Sequence, residues 1–296
     1  MSIPFNMSPK SGEHQYLAFL EYVYNEGKDI VNDRTGEICR TATGGTLHYD
    51  CRRNGFPMVT TRKAYYRKAI NEMCGYFQGF NNAAQFRQLG TDTWDANGNG
   101  TPAWLANRHR KGTDDLGHVY GYVARNWPTF DGQVMDLVKD VLAKVMKHED
   151  DRGLTITFWN PGVFSRAALR PCLRQHTFTI IDGMLHLTSE QRSTDMALGM
   201  VFNMMQCAWL LMTVAHLAGL KPGIATHNII NAHIYEKHFE GVSEQLTRSP
   251  FAQPKLIIDP SVNDVNQLTT PFALDASSFK VDGYQSHEAI KFPMAV

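Results

Sequence analysis

The chain has 296 residues, 43% of them hydrophobic, and its 29 basic and 29 acidic side chains cancel. A sizeable core is available, but no long-range field draws in nucleic acid or an anionic membrane, so an anionic ligand must be held by local charge. Five cysteines without CxxC spacing argue against a disulfide framework and a zinc site, and for a reducing, cytoplasmic setting.

Residues 1–12, rich in Ser, Pro and Gly, read as a flexible leader without a signal-peptide pattern. Residues 14–27 have helical spacing through Tyr16, Phe19, Leu20 and Val23. Residues 33–36 read as a loop, with Arg40 in its continuation. A helix is expected over 64–77. It places Glu72 on one face with Ala69 and Tyr76, where burial would raise its pKa and suit it to moving protons. Residues 97–118 read as a long polar loop, 134–147 as an amphipathic helix and 154–158 as a strand. A hairpin follows: 176–181, the turn Asp182-Gly183, then 184–189. Residues 203–218 are apolar nearly all round and read as the buried central helix. The most apolar run, 207–220, is too short to span a bilayer and carries His216. Residues 227–235 form a short extended segment with His233 and Tyr235 on one face. A helix over 236–246 and a strand over 255–258 follow, and the rest is read as irregular. One domain over 13–296, of the α+β class, is the expectation.

The chemistry concentrates between Arg170 and Asn203. Arg170-Pro171-Cys172-Leu173-Arg174 leads into the hairpin, Gln191-Arg192-Ser193-Thr194-Asp195 leaves it, and Gly199-Met200-Val201-Phe202-Asn203 opens the central helix. A thiol nucleophile, anion donors, an acid and a bidentate amide are parts of a nucleotide-modifying site. Arg170, Arg174 and Arg192 are all candidates to lower the Cys172 pKa.

These segments resemble the thymidylate synthase family, whose pattern reads Pro-Cys-His, Gln-Arg-Ser-x-Asp and Gly-x-Pro-Phe-Asn. Further matches run from Asp33-Arg34-Thr35-Gly36 through Thr93-Trp94-Asp95-Ala96-Asn97-Gly98 and Gly117-His118-Val119-Tyr120-Gly121 to the tail Phe292-Pro293-Met294-Ala295-Val296. The resemblance implies a twisted mixed sheet covered by helices, and a homodimer formed through the sheet faces. It implies dUMP as substrate, methylenetetrahydrofolate as cosubstrate and no metal. Cys172 is the implied nucleophile, and Glu72, Tyr120, Asp195 and Asn203 complete the catalytic set. Asn203 reads the base. Arg34 (with Arg40 as a second candidate), Arg192, Ser193 and Arg152 from the other subunit hold the phosphate. Gln191 joins the substrate set, and His233 and Tyr235 hold the deoxyribose. Arg62, Trp94, Asp195, Gly199 and Val296 serve the folate.

Several positions depart from the family pattern: Leu173, Gly153, Val123-Ala124, Val201 and Ile230-Asn231. Clustered around one pocket, they would admit water to the methylene intermediate. The expected product is therefore 5-hydroxymethyl-dUMP, as in the phage hydroxymethylases of the same superfamily, in the host cytoplasm if phage-encoded. The alternative is dTMP with dihydrofolate. A third reading, an inactive nucleotide- or RNA-binding regulator, conflicts with the neutral charge and with Cys172, Glu72 and Asn203 standing together.

Overall fold

The computed structural model describes residues 10–33, 35–53 and 55–294. Ser11 caps the first helix through the His14 N–H, so α1 (Gly12–Glu26) starts inside the expected leader. Strands β1 (Lys28–Val31) and β2 (Ile38–Asp50) follow. The expected loop thus holds a long strand, with Arg40 inside it. Next come α2 (Tyr66–Phe77), α3 (Ala83–Leu89), α4 (Asp95–Asn99), α5 (Pro102–Leu105) and α6 (Tyr120–Arg125). Two short helices therefore interrupt the stretch read as a loop. Strand β3 (Trp127–Pro128) pairs with β4 (Val134–Met135), and β4 takes the start of the expected amphipathic helix. Asp136 then caps α7 (Leu137–Met146) by accepting from the Lys139 N–H.

Strand β5 (Thr155–Thr157) precedes the hairpin of β6 (Leu173–Ile181) and β7 (Met184–Gln191). Asp182 (φ 52°) and Gly183 (φ 72°) are both left-handed, as a two-residue turn matched to strand twist requires. After β8 (Thr194–Asp195), α8 (Gly199–Leu217) crosses back to β9 (Lys221–Tyr235), a strand of 15 residues where a short segment was expected. Helix α9 (Phe239–Leu246) follows, and β10 (Lys255–Ile258) pairs with β11 (Phe279–Asp282) in the tail read as irregular.

Among the described residues the main sheet has seven strands, in the order β1-β2-β9-β7-β6-β5, with β8 also on β9. The β7–β9 and β8–β9 pairings are parallel and the others antiparallel. The fold is α+β, as expected. One face is buried, through Leu47, Tyr49, Phe178, Leu187, Ser189, Ala225 and His227. The alternate residues Thr46, Thr177, Thr188, Glu190, Thr226 and Asn228 keep solvent access. Helix α8 is long and apolar enough to cross a membrane by length and composition. It is nonetheless the core helix, apolar all round because it is packed on all sides.

Two contacts place the loops that feed the site. Buried Glu13 accepts from the N–H and hydroxyl of both Thr60 and Thr61, fixing the chain before Arg62. Helix α6 lies on α2 so closely that a Cβ on Gly121 would sit 1.5 Å from the Tyr76 carbonyl oxygen. Gly121→Ala must therefore part the two helices. We expect it to destabilise the protein by roughly 3 kcal/mol, the upper range for overpacking, read as a lower urea midpoint at unchanged slope. A loss below about 1 kcal/mol would show that this contact does not set the position of Tyr120.

Candidate active site

Cys172 precedes the first residue of β6, and Leu173 faces Gln191 across the hairpin. The Arg192 N–H donates to the Cys172 carbonyl at 2.8 Å, tying the two residues together. The Arg192 guanidinium donates to the Pro171 (2.9 Å) and Arg170 (3.0 Å) carbonyls and lies 3.7 Å from Cys172 Sγ. Its charge is thus held against the sulfur. The expectation of three arginines at the thiol is corrected. Arg170 is exposed and sits over Phe164, and a β-bulge between Leu173 and Gln175 leaves Arg174 over Trp159. Cys172 keeps solvent access, whereas Cys39, Cys51, Cys74 and Cys207 are buried. Burial pushes the Cys51 and Cys207 thiols up to about 12.

Tyr120 accepts from the Cys172 N–H at 2.8 Å. Its φ of 32° is left-handed for a bulky residue, a strain that persists only where the surroundings enforce it. Here Tyr76 stacks on its ring at 4.3 Å, and Trp94 and Phe158 flank it at 5.6 and 5.7 Å. Burial, then the neighbouring Cys172, holds the Tyr120 hydroxyl well above its ordinary pKa.

Asn203, the fifth residue of α8, keeps solvent access. Its Oδ1 accepts from Gln191 Nε2 at 2.7 Å, and its Nδ2 donates to Gln206 Oε1 at 2.8 Å. Gln206 Nε2 donates to Glu72 Oε2 (2.8 Å) and to the Ala69 carbonyl (3.0 Å). Burial raises the Glu72 carboxyl above its usual range, against hydrogen bonds from Thr93, Gln206 and Tyr76. On the other side Gln191 Oε1 meets His227 Nε2 at 2.7 Å, and His227 Nδ1 meets the Tyr49 hydroxyl at 3.0 Å. Gly199 stands next to this amide: a Cβ there would make ordinary contacts, 3.5 Å to Thr194 Oγ1 and 3.8 Å to Asn203 Oδ1. Sequence reasoning missed Gln206, His227 and Tyr49. Gln206 stands one turn after Asn203, a signal the apolar reading of α8 passed over.

His233 Nδ1 lies 3.0 Å from Asn231 Oδ1 and 3.5 Å from the Ser193 hydroxyl, because β8 pairs Asp195 with His233. The Tyr235 ring stands edge-on to His233 at 5.4 Å. These residues lie together at the edge where β8 meets β9. Arg152 is exposed before β5 and makes no ion pair among the described residues. Arg34 and Val296 lie outside the described residues. Arg40 is corrected as a phosphate candidate: its guanidinium is paired with Asp29 at 2.8 and 3.1 Å and packs over Phe239 at 4.3 Å.

Asp195 Oδ1 accepts from the Ala197 N–H at 2.9 Å, and Oδ2 lies 3.5 Å from His238 Nδ1. Burial opposes charge on His238, but Asp195 and the Pro293 carbonyl outweigh it and raise its pKa. Arg62 differs from the expectation of a cation facing a folate tail. It is 6% exposed, donates to Gln245 and the Ala197 carbonyl, and lies under Phe292 at 4.8 Å. It therefore joins the Asp195 turn to the C-terminal segment.

The departures do not surround the pocket. Leu173, Val123, Ala124 and Val201 are all buried in the core at 3% exposure or less. Ile230 is 55% exposed, and strand alternation turns it away from Asn231 and His233. Gly153 lies in an exposed turn bonded to Asp151. Of the set, Asn231 meets the candidate ligand-binding residues His233 and Ser193 through its side chain, while Leu173 meets Gln191 only as its strand partner.

An accessible cysteine held under an arginine, with a carboxamide fixed by the Gln191 of the neighbouring strand and a shielded carboxylate beyond it, fits the enzymes that attack a substrate through sulfur. The family model described as thymidylate synthase matches residues 14–296. The chain is 47% identical over 283 residues to the thymidylate synthases of Haemophilus influenzae (strain PittGG), Photobacterium profundum and Idiomarina loihiensis, covering 95% of this chain and 99% of each relative. The chain belongs to the thymidylate synthase family. These relatives carry no hydroxymethylase name, and with the departures lodged in the core or at the surface, the hydroxymethylation reading loses its support.

Accessibility makes the nucleophile testable before any turnover. Native protein treated with iodoacetamide should take up one adduct, at Cys172, while unfolded protein takes up five, the number of cysteines in the chain. Peptide mass mapping checks this. Equal labelling of a buried cysteine would contradict the packing.

Proposed function

We propose that this chain is a thymidylate synthase, converting dUMP to dTMP. Cys172 under Arg192, with Asn203 held by the adjoining Gln191, carries the reading, with the name shared by relatives over nearly their whole length. Methylenetetrahydrofolate, the family's cosubstrate, supplies the one-carbon unit and then the hydride that completes a methyl group, leaving dihydrofolate. The donor set fits it. Asp195 uses one oxygen on Ala197 and has lone pairs left for a ring N–H, and Trp94 stands in the aromatic cluster around Tyr120. No group of three or more His, Cys, Asp or Glu suited to a metal occurs among the described residues.

The Cys172 thiolate adds to carbon 6 of uracil, and carbon 5 becomes the nucleophile. Arg192 sets a positive charge beside the sulfur and Tyr120 holds the Cys172 backbone in place. Asn203 accepts from uracil N3–H and donates to its carbonyl. Glu72, its pKa raised by burial, moves protons at the carbonyl and at carbon 5. Loss of the thiolate from carbon 6 then restores the ring double bond. Arg192, Ser193, Arg34 and Arg152 of the partner subunit hold the phosphate, and His233 and Tyr235 the sugar. The partner docks on the open sheet face that carries Thr46, Thr188 and Asn228.

With dUMP and methylenetetrahydrofolate, dTMP and dihydrofolate should form in equal amounts. The near-ultraviolet rise of dihydrofolate and mass spectrometry of the nucleotide measure both. Tetrahydrofolate with 5-hydroxymethyl-dUMP would overturn the methyl-transfer reading. Mixing inactive Arg152→Ala and Cys172→Ala proteins under subunit exchange should restore activity, because one site of each heterodimer then has both groups intact. Heterodimers without activity would remove Arg152 from the shared site.

A further inference from the structure

The hydrogen bonds around Asn203 assign every donor in the chain. Gln206 Nε2 faces the Ala69 carbonyl and the Glu72 carboxylate, both acceptors. It must donate, which leaves Gln206 Oε1 to accept from Asn203 Nδ2. From the other end, Gln191 Nε2 faces the Ser193 carbonyl at 3.1 Å and Asn203 Oδ1 at 2.7 Å. It must donate to both, which leaves Gln191 Oε1 facing His227 Nε2. That nitrogen therefore carries the proton. His227 Nδ1 then accepts, and its partner is the Tyr49 hydroxyl. Tyr49, His227, Gln191 and Gln206 are all essentially inaccessible to water.

The geometry points to His227, set in its Nε2–H tautomer by Tyr49, as a specificity-positioning residue that locks the Gln191 amide and through it the Asn203 amide in the orientation that accepts uracil nucleotides and rejects cytosine nucleotides. This rests on the proposed dUMP reading and deepens it. As held, Asn203 keeps a lone pair on Oδ1 and a hydrogen on Nδ2 for the base. Uracil offers N3–H and a carbonyl, which match. Cytosine offers a bare N3 and an amine, which need the amide reversed. Reversal would set Asn203 Nδ2 against Gln191 Nε2 and Oδ1 against Gln206 Oε1. The lock stays uncharged, because burial first and nearby His176 second hold the His227 pKa at about 3.

His227→Phe leaves the buried Gln191 Oε1 without its donor, and the amide is freed to turn. Tyr49→Phe removes a single hydroxyl and keeps the fold. Equilibrium binding of dUMP and of dCMP, without folate, measures the ratio of the two affinities. The wild type should prefer dUMP. His227→Phe should lose at least about tenfold of that preference and Tyr49→Phe about threefold, as expected for a buried group left unpaired. A merely structural role would lower both affinities alike and leave the ratio unchanged, and that result would overturn the inference. If His227→Phe does not fold, Tyr49→Phe decides. Nitrogen NMR of the wild type is independent of binding. It should show His227 neutral and Nε2-protonated from about pH 6 to 8, where an ordinary histidine titrates. An Nδ1–H or charged ring would also overturn it. A wild type that does not favour dUMP would instead overturn the dUMP reading itself.

Discussion

Across the parallel β7–β9 ladder Ser189 faces His227 and Gln191 faces Ile229, a register that carries Gln191 and His227 onto the same buried face. A slip of one residue would turn one of them to the opposite face. The same ladder continues through β8, where Asp195 faces His233. The base-reading chain and the sugar-binding pair are thus both products of how β9 is threaded between β2 and its parallel neighbours. The hairpin turn at Asp182-Gly183 sets the other side, placing Leu173 opposite Gln191 and so Cys172 beside Arg192.

A buried polar chain of this length is costly unless every group is satisfied, and here each amide has partners on both its oxygen and its nitrogen. Apolar replacements of similar volume would pack as well. What they could not do is transmit an orientation. Main-chain carbonyls of Ser193 and Ala69 anchor the two ends, and these cannot flip. Between them the side-chain amides have one self-consistent arrangement, and Asn203 at its centre is the member that keeps access to the cleft.

The Cys172 environment follows a different logic. Arg192 spends its hydrogen bonds on carbonyls of the Arg170–Pro171 segment and keeps its charge for the sulfur, while Arg40 and Arg125 are absorbed by Asp29 and Asp136. One immobilised cation near the thiol replaces the three that chain proximity suggested. Arg170 stands before β6, outside the pleat, and the bulge between Leu173 and Gln175 displaces Arg174, so neither follows the alternation of a regular strand.

Local patterns in the sequence determined the hairpin, the central helix, α2 with Glu72 on it, and the motif set from Cys172 to Asn203. Those depend on turn chemistry, periodicity and residue type over short separations. The long strands β2 and β9 were not legible, because Gly44, Gly45 and the polar residues of β9 acquire strand structure only by pairing with each other. Nor was the fate of the unusual residues: Leu173, Val123, Ala124 and Val201 are near the site in the chain, yet their side chains face the core. The tertiary structure alone decided which arginine meets the thiol and that Tyr49, His227 and Gln206 converge on Asn203. The physical reason is that direction and hydrogen-bond partner are properties of packing between segments up to 178 residues apart, while the sequence on its own specifies which chemical groups are available to be packed.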